Sequence, residues 1–221
     1  LLSGERSALF FMLLIYSIKL ILLNINLKVK LIYSSIIVCC ILILGLNMNL
    51  SNRLIHDQST QFNFNSDNII IFTPEHTAHY RSALNIFNDK PIIGQGPRMF
   101  RKLCSKKQYI EFVSGYDGCS SHPHNTYIQL LAETGIIAAI LFSLGFIHII
   151  INLLGHFLFL IFQKGRKLNN YQIIINVTVL LVFWPFSPSG NFFNNWTSIM
   201  HALPLAFYVN EYFEYKKFKK A

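Results

Sequence analysis

The sequence predicts an all-α fold: a polytopic membrane helix bundle, with five transmembrane helices in this fragment and a long, partly helical extracytoplasmic loop. Three observations predict it. Apolar residues make up 52% of the 221 residues against 13% charged, with a mean hydropathy of +0.41, which is too apolar for an ordinary soluble domain. Five apolar stretches, Ser7 to Leu23, Leu31 to Leu46, Gly135 to Phe162, Ile173 to Phe186 and Trp196 to Tyr212, come near the length that spans hydrocarbon. Lysines and arginines gather in the short connections, which is how a membrane chain marks its cytoplasmic side.

The first span, 7–23, begins almost at Leu1, so the chain reads as the carboxyl-terminal part of something longer. It lacks a small-residue cleavage site, which argues against a cleavable leader. Lys28 and Lys30 then hold the first connection inside. The second span, 31–46, contains Cys39 and Cys40, read as inert packing. Residues 47–121 follow outside. A helix leading into the third span runs with it over 123–162, and Lys164, Arg166 and Lys167 return the chain to the cytoplasm. The fourth, 171–188, is short and needs Tyr171 and Pro188 to reach across. The Ser187 to Asn195 turn lies outside, where the "FFNNW" run gives an aromatic anchor and an Asn pair at the rim. The fifth span, 196–212, ends in a cytoplasmic tail, 213–221, whose Lys216, Lys217, Lys219 and Lys220 touch anionic membrane lipid. The whole is one membrane domain. Its net charge of +9 is mostly an orientation signal, and no motif supports a nucleic-acid partner.

The outer segment carries the chemistry. Ser51 to Ile70, rich in Asn, Ser, Asp and Gln, reads as a mobile loop. Thr73 followed by Pro74 starts a helix as cap and first-turn proline, and Tyr80, Leu84 and Phe87 form its apolar face. Arg81 projects beside that face, near enough to the membrane surface to meet a lipid headgroup. Asp89-Lys90-Pro91 ends the helix. In "GQGPRMFRK", Gly94 and Gly96 bracket a turn and Pro97 opens another short helix. The bland reading is a tight turn alone. The functional one is a phosphate site of free backbone N–H groups beside Arg98, Arg101 and Lys102.

Cys104 and Cys119 both fall in this segment, where an oxidising compartment allows a disulfide. Closing that loop contributes about 3 kcal/mol in the chain-entropy model. The competing reading is a metal site from Cys104, Cys119, His122 and His124, although C-x2-H-x-H is not a familiar zinc spacing.

In "CSSHPHNTYIQLLAETGIIA", Pro123 fits a first helical position, which makes His122 the cap and puts His124 and Asn125 in the first turn. His124, Ile128, Leu131 and Gly135 then share one stripe. The positive end of the helix dipole disfavours an imidazolium and favours a nearby anion, which suits a neutral base beside a phosphate. The alternative is that both rings only cap the helix or brace the loop, and that suits His122 better than His124. Glu133 falls across the helix and reads as interfacial.

"HPHNTYIQLLAETGI" resembles the His-Asn, nine residues, Gly motif of the O-antigen ligase and polymerase family, integral membrane glycosyltransferases that use polyprenyl-diphosphate-linked glycans. His124-Asn125 and Gly135 match it. "LLSGERSAL" resembles the family's arginine-bearing segment at an outer membrane face, and "RSALNIFNDKPIIGQGPRMF" resembles its arginine helix followed by Pro and paired glycines. One departure is Ala138, where the ligase motif usually has a second glycine. It weakens a choice of ligase over polymerase.

The resemblance implies that Arg6, Arg81 and His124 converge at an outer-leaflet cavity; Arg6, Arg81 and Arg98 are the candidate diphosphate-binding residues, and Asn125, His122, Gly94 and Gly96 stand in support. Arginines would grip the diphosphate of an undecaprenyl-diphosphate-linked glycan and stabilise it as it leaves. His124 would take the proton of an attacking acceptor hydroxyl. The scheme needs no metal and no cofactor, because arginine supplies the electrostatic role. The acceptor is lipid A-core for a ligase and another lipid-linked chain for a polymerase. The setting is the bacterial inner membrane, with the site facing the periplasm.

A different class is a transporter, suggested by His148, Asn152 and His156 along one face of the third span. That row also suits helices hydrogen-bonding one another, and Asn176 and His201 have the same reading. A noncatalytic membrane scaffold is the third possibility, and clustered Arg and His at one face argue against it.

Overall fold

The structure, a computed structural model, describes residues 6–45 and 72–220; the side chains of residues 6–8, 40, 43–45 and 214–220 lie outside that description. The loop expected over Ser51 to Ile70 lies outside it too. The chain divides into two compact units, Leu1–Ile71 and Phe72–Ala221.

The first unit is a helical hairpin, α1 (Arg6–Leu22) and α2 (Leu27–Gly45). Lys19 in the last turn of α1 complements the negative end of its dipole. Asn26 restarts the chain by accepting from the N–H of Lys28 at 3.0 Å, the work of an N-cap. Tyr16 donates across the pair to Ser34, 2.8 Å. Leu31, Ile32, Ile36 and Leu42 are exposed along α2. Cys39 is exposed with them, not packed in an interior.

The second unit opens with α3 (Pro74–Asp89), capped by Thr73, which accepts from the N–H of His76 at 3.3 Å. Its buried face is Ala78, His79, Tyr80, Ser82, Ala83 and Ile86. The expected Tyr80, Leu84, Phe87 stripe is therefore displaced, and Leu84 is exposed. Small side chains win this face because backbone comes close: a Cβ on Gly118 would strike Ser82 and the carbonyl of Ala78. Ser82 accepts from the N–H of Glu111 at 2.9 Å, and Asn85 donates to the Glu111 carboxylate at 2.9 Å. A short helix, α4 (Phe100–Leu103), and a two-residue hairpin of β1 (Phe112–Val113) and β2 (Tyr116–Asp117) complete the segment. Ser114 and Gly115 turn the hairpin with positive φ, the twist that such turns need. Phe100, Leu103, Cys104 and Tyr109 pack with Ala83, Ile86 and Ala132 as its core. Cys104 and Cys119 form a disulfide, Cα to Cα 4.9 Å.

α5 (Thr126–Phe162) is broken at Gly135, φ 77° and ψ −176°. Beyond the break, residues 136–162 run about 40 Å at helical rise, with Ile137, Leu141, Leu144, Ile151 and Ile161 exposed. Among the described residues α5 is the one helix long and apolar enough to cross a bilayer, and shorter apolar helices cover Leu9–Leu22 and Asn170–Val182. The expected count of five spans therefore rests on the sequence pattern. α6 (Asn170–Val182) opens on a capping box of Asn169 and Gln172 and stops short of the expected Pro188. α7 (Asn195–Lys220) carries Pro204 inside it and continues as helix through the expected tail.

The polar row on α5 is tied to its neighbours. Asn152 donates to the hydroxyl of Tyr208 on α7 at 2.8 Å, that hydroxyl lies 2.8 Å from Nε2 of His148, and Arg166 donates to Asn152 at 2.7 Å. His156 Nδ1 accepts from the N–H of Leu168, 3.1 Å. These bonds support the packing reading of the row over a transport path.

Candidate active site

The helix cap at the start of α5 is Asn125, not His122. Its side-chain oxygen accepts from the N–H groups of Tyr127 and Ile128, 2.9 and 3.1 Å, and its amide donates to the carbonyl of Pro185 at 2.7 Å. An Asn oxygen that serves two orphan N–H groups outcompetes an imidazole for this position. His124 therefore stands just outside the helix with φ 58°, off the expected stripe with Ile128 and Leu131. The loop after α6 clasps this turn. Ser189 donates its N–H to the carbonyl of His124 at 3.0 Å and accepts from the Thr126 hydroxyl at 2.9 Å.

His122 is held at both ring nitrogens. Nε2 donates to the Ser189 carbonyl at 3.0 Å, which leaves Nδ1 to accept from the Ser121 hydroxyl at 2.8 Å. The reading of His122 as a loop brace fits these bonds. His124 differs: among the described residues no hydrogen bond engages either of its ring nitrogens.

Sequence reasoning missed two residues, His76 and His79. Both lie on α3 one turn apart, and both rings meet His124, at centroid distances of 5.6 and 5.2 Å. His122 also meets it, at 4.2 Å. The signal was a His-x2-His pair in the first turns of a capped helix, facing the turn that carries His-x-His. His76 Nδ1 sits 3.1 Å from the Thr73 hydroxyl. His79 is 3% exposed and, among the described residues, its Nδ1 has no partner.

Four imidazoles in one cluster disfavour positive charge. Burial pushes His124 down to about 4, with His122, His79 and His76 adding to the shift and Glu75 opposing it. Burial also lowers His79, against the pull of Glu75, and lowers His122, against its bond to the Ser189 carbonyl. The positive end of α5 acts in the same direction. All three rings are thus uncharged at neutral pH, the state in which an imidazole accepts a proton.

The Gly94–Gly96 turn has no free N–H groups for a phosphate. Gly94 donates to Lys90, Gln95 to Ala132 and Gly96 to Glu133, all to backbone carbonyls at 2.8 to 3.1 Å. The break at Gly135 releases the latter two carbonyls, and the turn satisfies them. An anion does occupy the turn, but it is the protein's own. The carboxylate of Glu133, fully buried rather than interfacial, accepts from the N–H groups of Arg98 and Phe100, both at 2.9 Å. Gln129 donates to both Glu133 and Asn191, at 3.0 and 2.9 Å.

The three arginines fall in different places. Arg98 is exposed and its guanidinium donates to the carbonyl of Phe193 at 2.5 Å. The loop from Ser189 to Phe193 thus touches His122 and His124 at one end and Arg98 at the other. Arg81 is exposed and lies two residues past His79, about 200° round the helix. The structure brings His76 and His79 to His124, and leaves Arg81 on the far face of α3. The side chain of Arg6 lies outside the described residues. The zinc alternative loses two ligands, because Cys104 and Cys119 hold each other.

Residues 1–143, which include His124, Asn125 and Gly135, match the family described as O-antigen ligase. No curated protein and no solved structure matches the chain.

Proposed function

Because the chain belongs to the O-antigen ligase family, we propose that it transfers a glycan from undecaprenyl diphosphate to a lipid A-core sugar, at the outer face of the inner membrane, with His124 as the base. The family is one of integral inner-membrane glycosyltransferases of the O-antigen ligase and polymerase type, and that coarser function is this chain's.

The observation that carries the reading is the asymmetry between His122 and His124. Both ring nitrogens of His122 are committed. His124 is half-buried and uncharged, and among the described residues no hydrogen bond uses its nitrogens. That is the condition of a base awaiting a hydroxyl.

In the proposed step the acceptor hydroxyl oxygen attacks the anomeric carbon while its proton passes to His124. The anomeric carbon-oxygen bond breaks from the opposite face, and its electron pair leaves on the diphosphate, inverting the configuration. Charge grows on the departing phosphate oxygen, where a guanidinium stabilises it best. Arg98 is the described arginine best connected to the site, through the Ser189 to Phe193 loop, whereas Arg81 faces away from the histidine cluster.

The test is surface glycan in cells that lack their own ligase. The His124→Ala variant should remain in the membrane and produce none. Normal surface glycan from it would defeat the proposal, and elongated lipid-linked glycan without a lipid A-core product would identify a polymerase instead.

A further inference from the structure

His79 is an awkward residue to bury. Its ring is 3% exposed, and among the described residues Nδ1 has no hydrogen-bond partner. A buried polar atom left unpaired destabilises a fold, and an apolar ring of similar shape would remove that cost. Packing alone therefore does not account for an imidazole here. What the ring does make is a stack on His124, centroids 5.2 Å apart and planes at 28°. His124 needs such a support, since its backbone is left-handed and among the described residues no hydrogen bond orients its ring.

We infer that His79 is the positioning residue of the site: its buried ring, stacked on His124, fixes the His124 ring from α3. This rests on His124 being the base. Two imidazoles in contact do not both carry a proton readily, so each lowers the proton affinity of the other. The other charged or titratable groups that bear on the pair are few. α3 supplies Glu75, His76 and Tyr80, β2 supplies Asp117, the turn supplies His122, and Glu133 acts on His122 from α5. Of these, Glu75 and Asp117 favour protonation, and His76 and His122 oppose it together with His79.

The test is the pH dependence of glycan transfer by the full protein in membranes, with His79→Phe and His79→Ala beside the wild type. Phe keeps a ring for the stack and removes the titration. Its rate at neutral pH should stay within about threefold of wild type, while the acidic limb moves to higher pH by roughly one unit, the scale of a coupled pair. Ala removes the stack as well, and should lower the rate about tenfold even on the alkaline side. Thermal unfolding of His79→Phe should be no earlier than wild type, which separates the result from misfolding. Unchanged profiles in both variants overturn the inference, and so does a uniform fall in rate with an unmoved limb. If His124→Ala is inactive and these results follow, only the role of His79 fails. If His124→Ala is active, the reading of the base fails with it.

Discussion

The carboxylate of Glu133 accepts a 2.9 Å hydrogen bond from the backbone N–H of Phe100, and the two residues are both fully buried. A second bond from the N–H of Arg98 makes the carboxylate the internal anion of the turn that follows Gly94. Glu133→Gln places an amide against two N–H donors that need acceptors. It should destabilise the protein by roughly 1–3 kcal/mol, the cost of a buried unpaired donor. Thermal unfolding in detergent reads this, and an unchanged midpoint would show that the bonds contribute nothing net.

Gly135 and Gly94 are the second pressure point. Gly135 has φ 77°, and a Cβ there would run into the backbone of Ile92, while one at Gly94 would meet the backbone of Glu133. Gly135→Ala combines the cost of a φ/ψ region open essentially to glycine alone, about 1–3 kcal/mol, with a backbone collision that nothing flexible can relieve. It should reduce the folded protein recovered from membranes, whereas Ala138→Gly, just past the break, should cost no more than about 1 kcal/mol. Equal recovery of both variants would contradict the geometry of the break.

The disulfide between Cys104 and Cys119 closes a separation of 15 residues. In the chain-entropy model that is worth about 3 kcal/mol. Cys104→Ser, Cys119→Ser and the double variant should show the same increase in proteolytic cleavage between residues 99 and 121. A single variant that behaves like wild type would mean that the bond does not form in the membrane.

Much of this arrangement was legible in the residues, and the exceptions have physical causes. The start of α3 at Thr73-Pro74 and the length of α5 follow from local signals. The cap at Asn125 did not, because Pro123 looks equally suited to a first helical turn until the reach of the Asn oxygen is known. The buried face of α3 escaped because its stripe of Ala78 and Ser82 is chosen by the close approach of Gly118, a partner distant in sequence. The tight-turn reading of Gly94–Gly96 holds and the phosphate alternative does not, because Gly135, placed by the sequence on a continuous helical stripe, breaks α5 and frees carbonyls that take up the turn's N–H groups. His76 and His79 were invisible for a simpler reason. A histidine on a helix says nothing until the turn that it faces is known to carry two more.

Acid should unfold this segment before it unfolds the rest of the second unit. The folded state holds His124 near 4, below its ordinary 6.5, so between those values the unfolded chain binds the proton and the folded chain does not. Stability therefore falls as pH drops through that window, and His79 and His122, both lowered, act in the same direction. The unfolding midpoint should drop on acidification from about pH 6.5 to pH 4, and less so in His124→Phe. An equal drop in the two proteins would remove His124 from the cause.

The decisive measurement is transfer of glycan from a polyprenyl-diphosphate donor to lipid A-core by the purified full protein, with His124→Ala and His122→Ala assayed side by side. His124→Ala should lose transfer by about a hundredfold or more, the scale of a general base, while His122→Ala, which loses a loop brace and one titratable neighbour but not the base, retains a measurable rate. Full activity in His124→Ala, or equal loss in both, would contradict the assignment of His124 as the base.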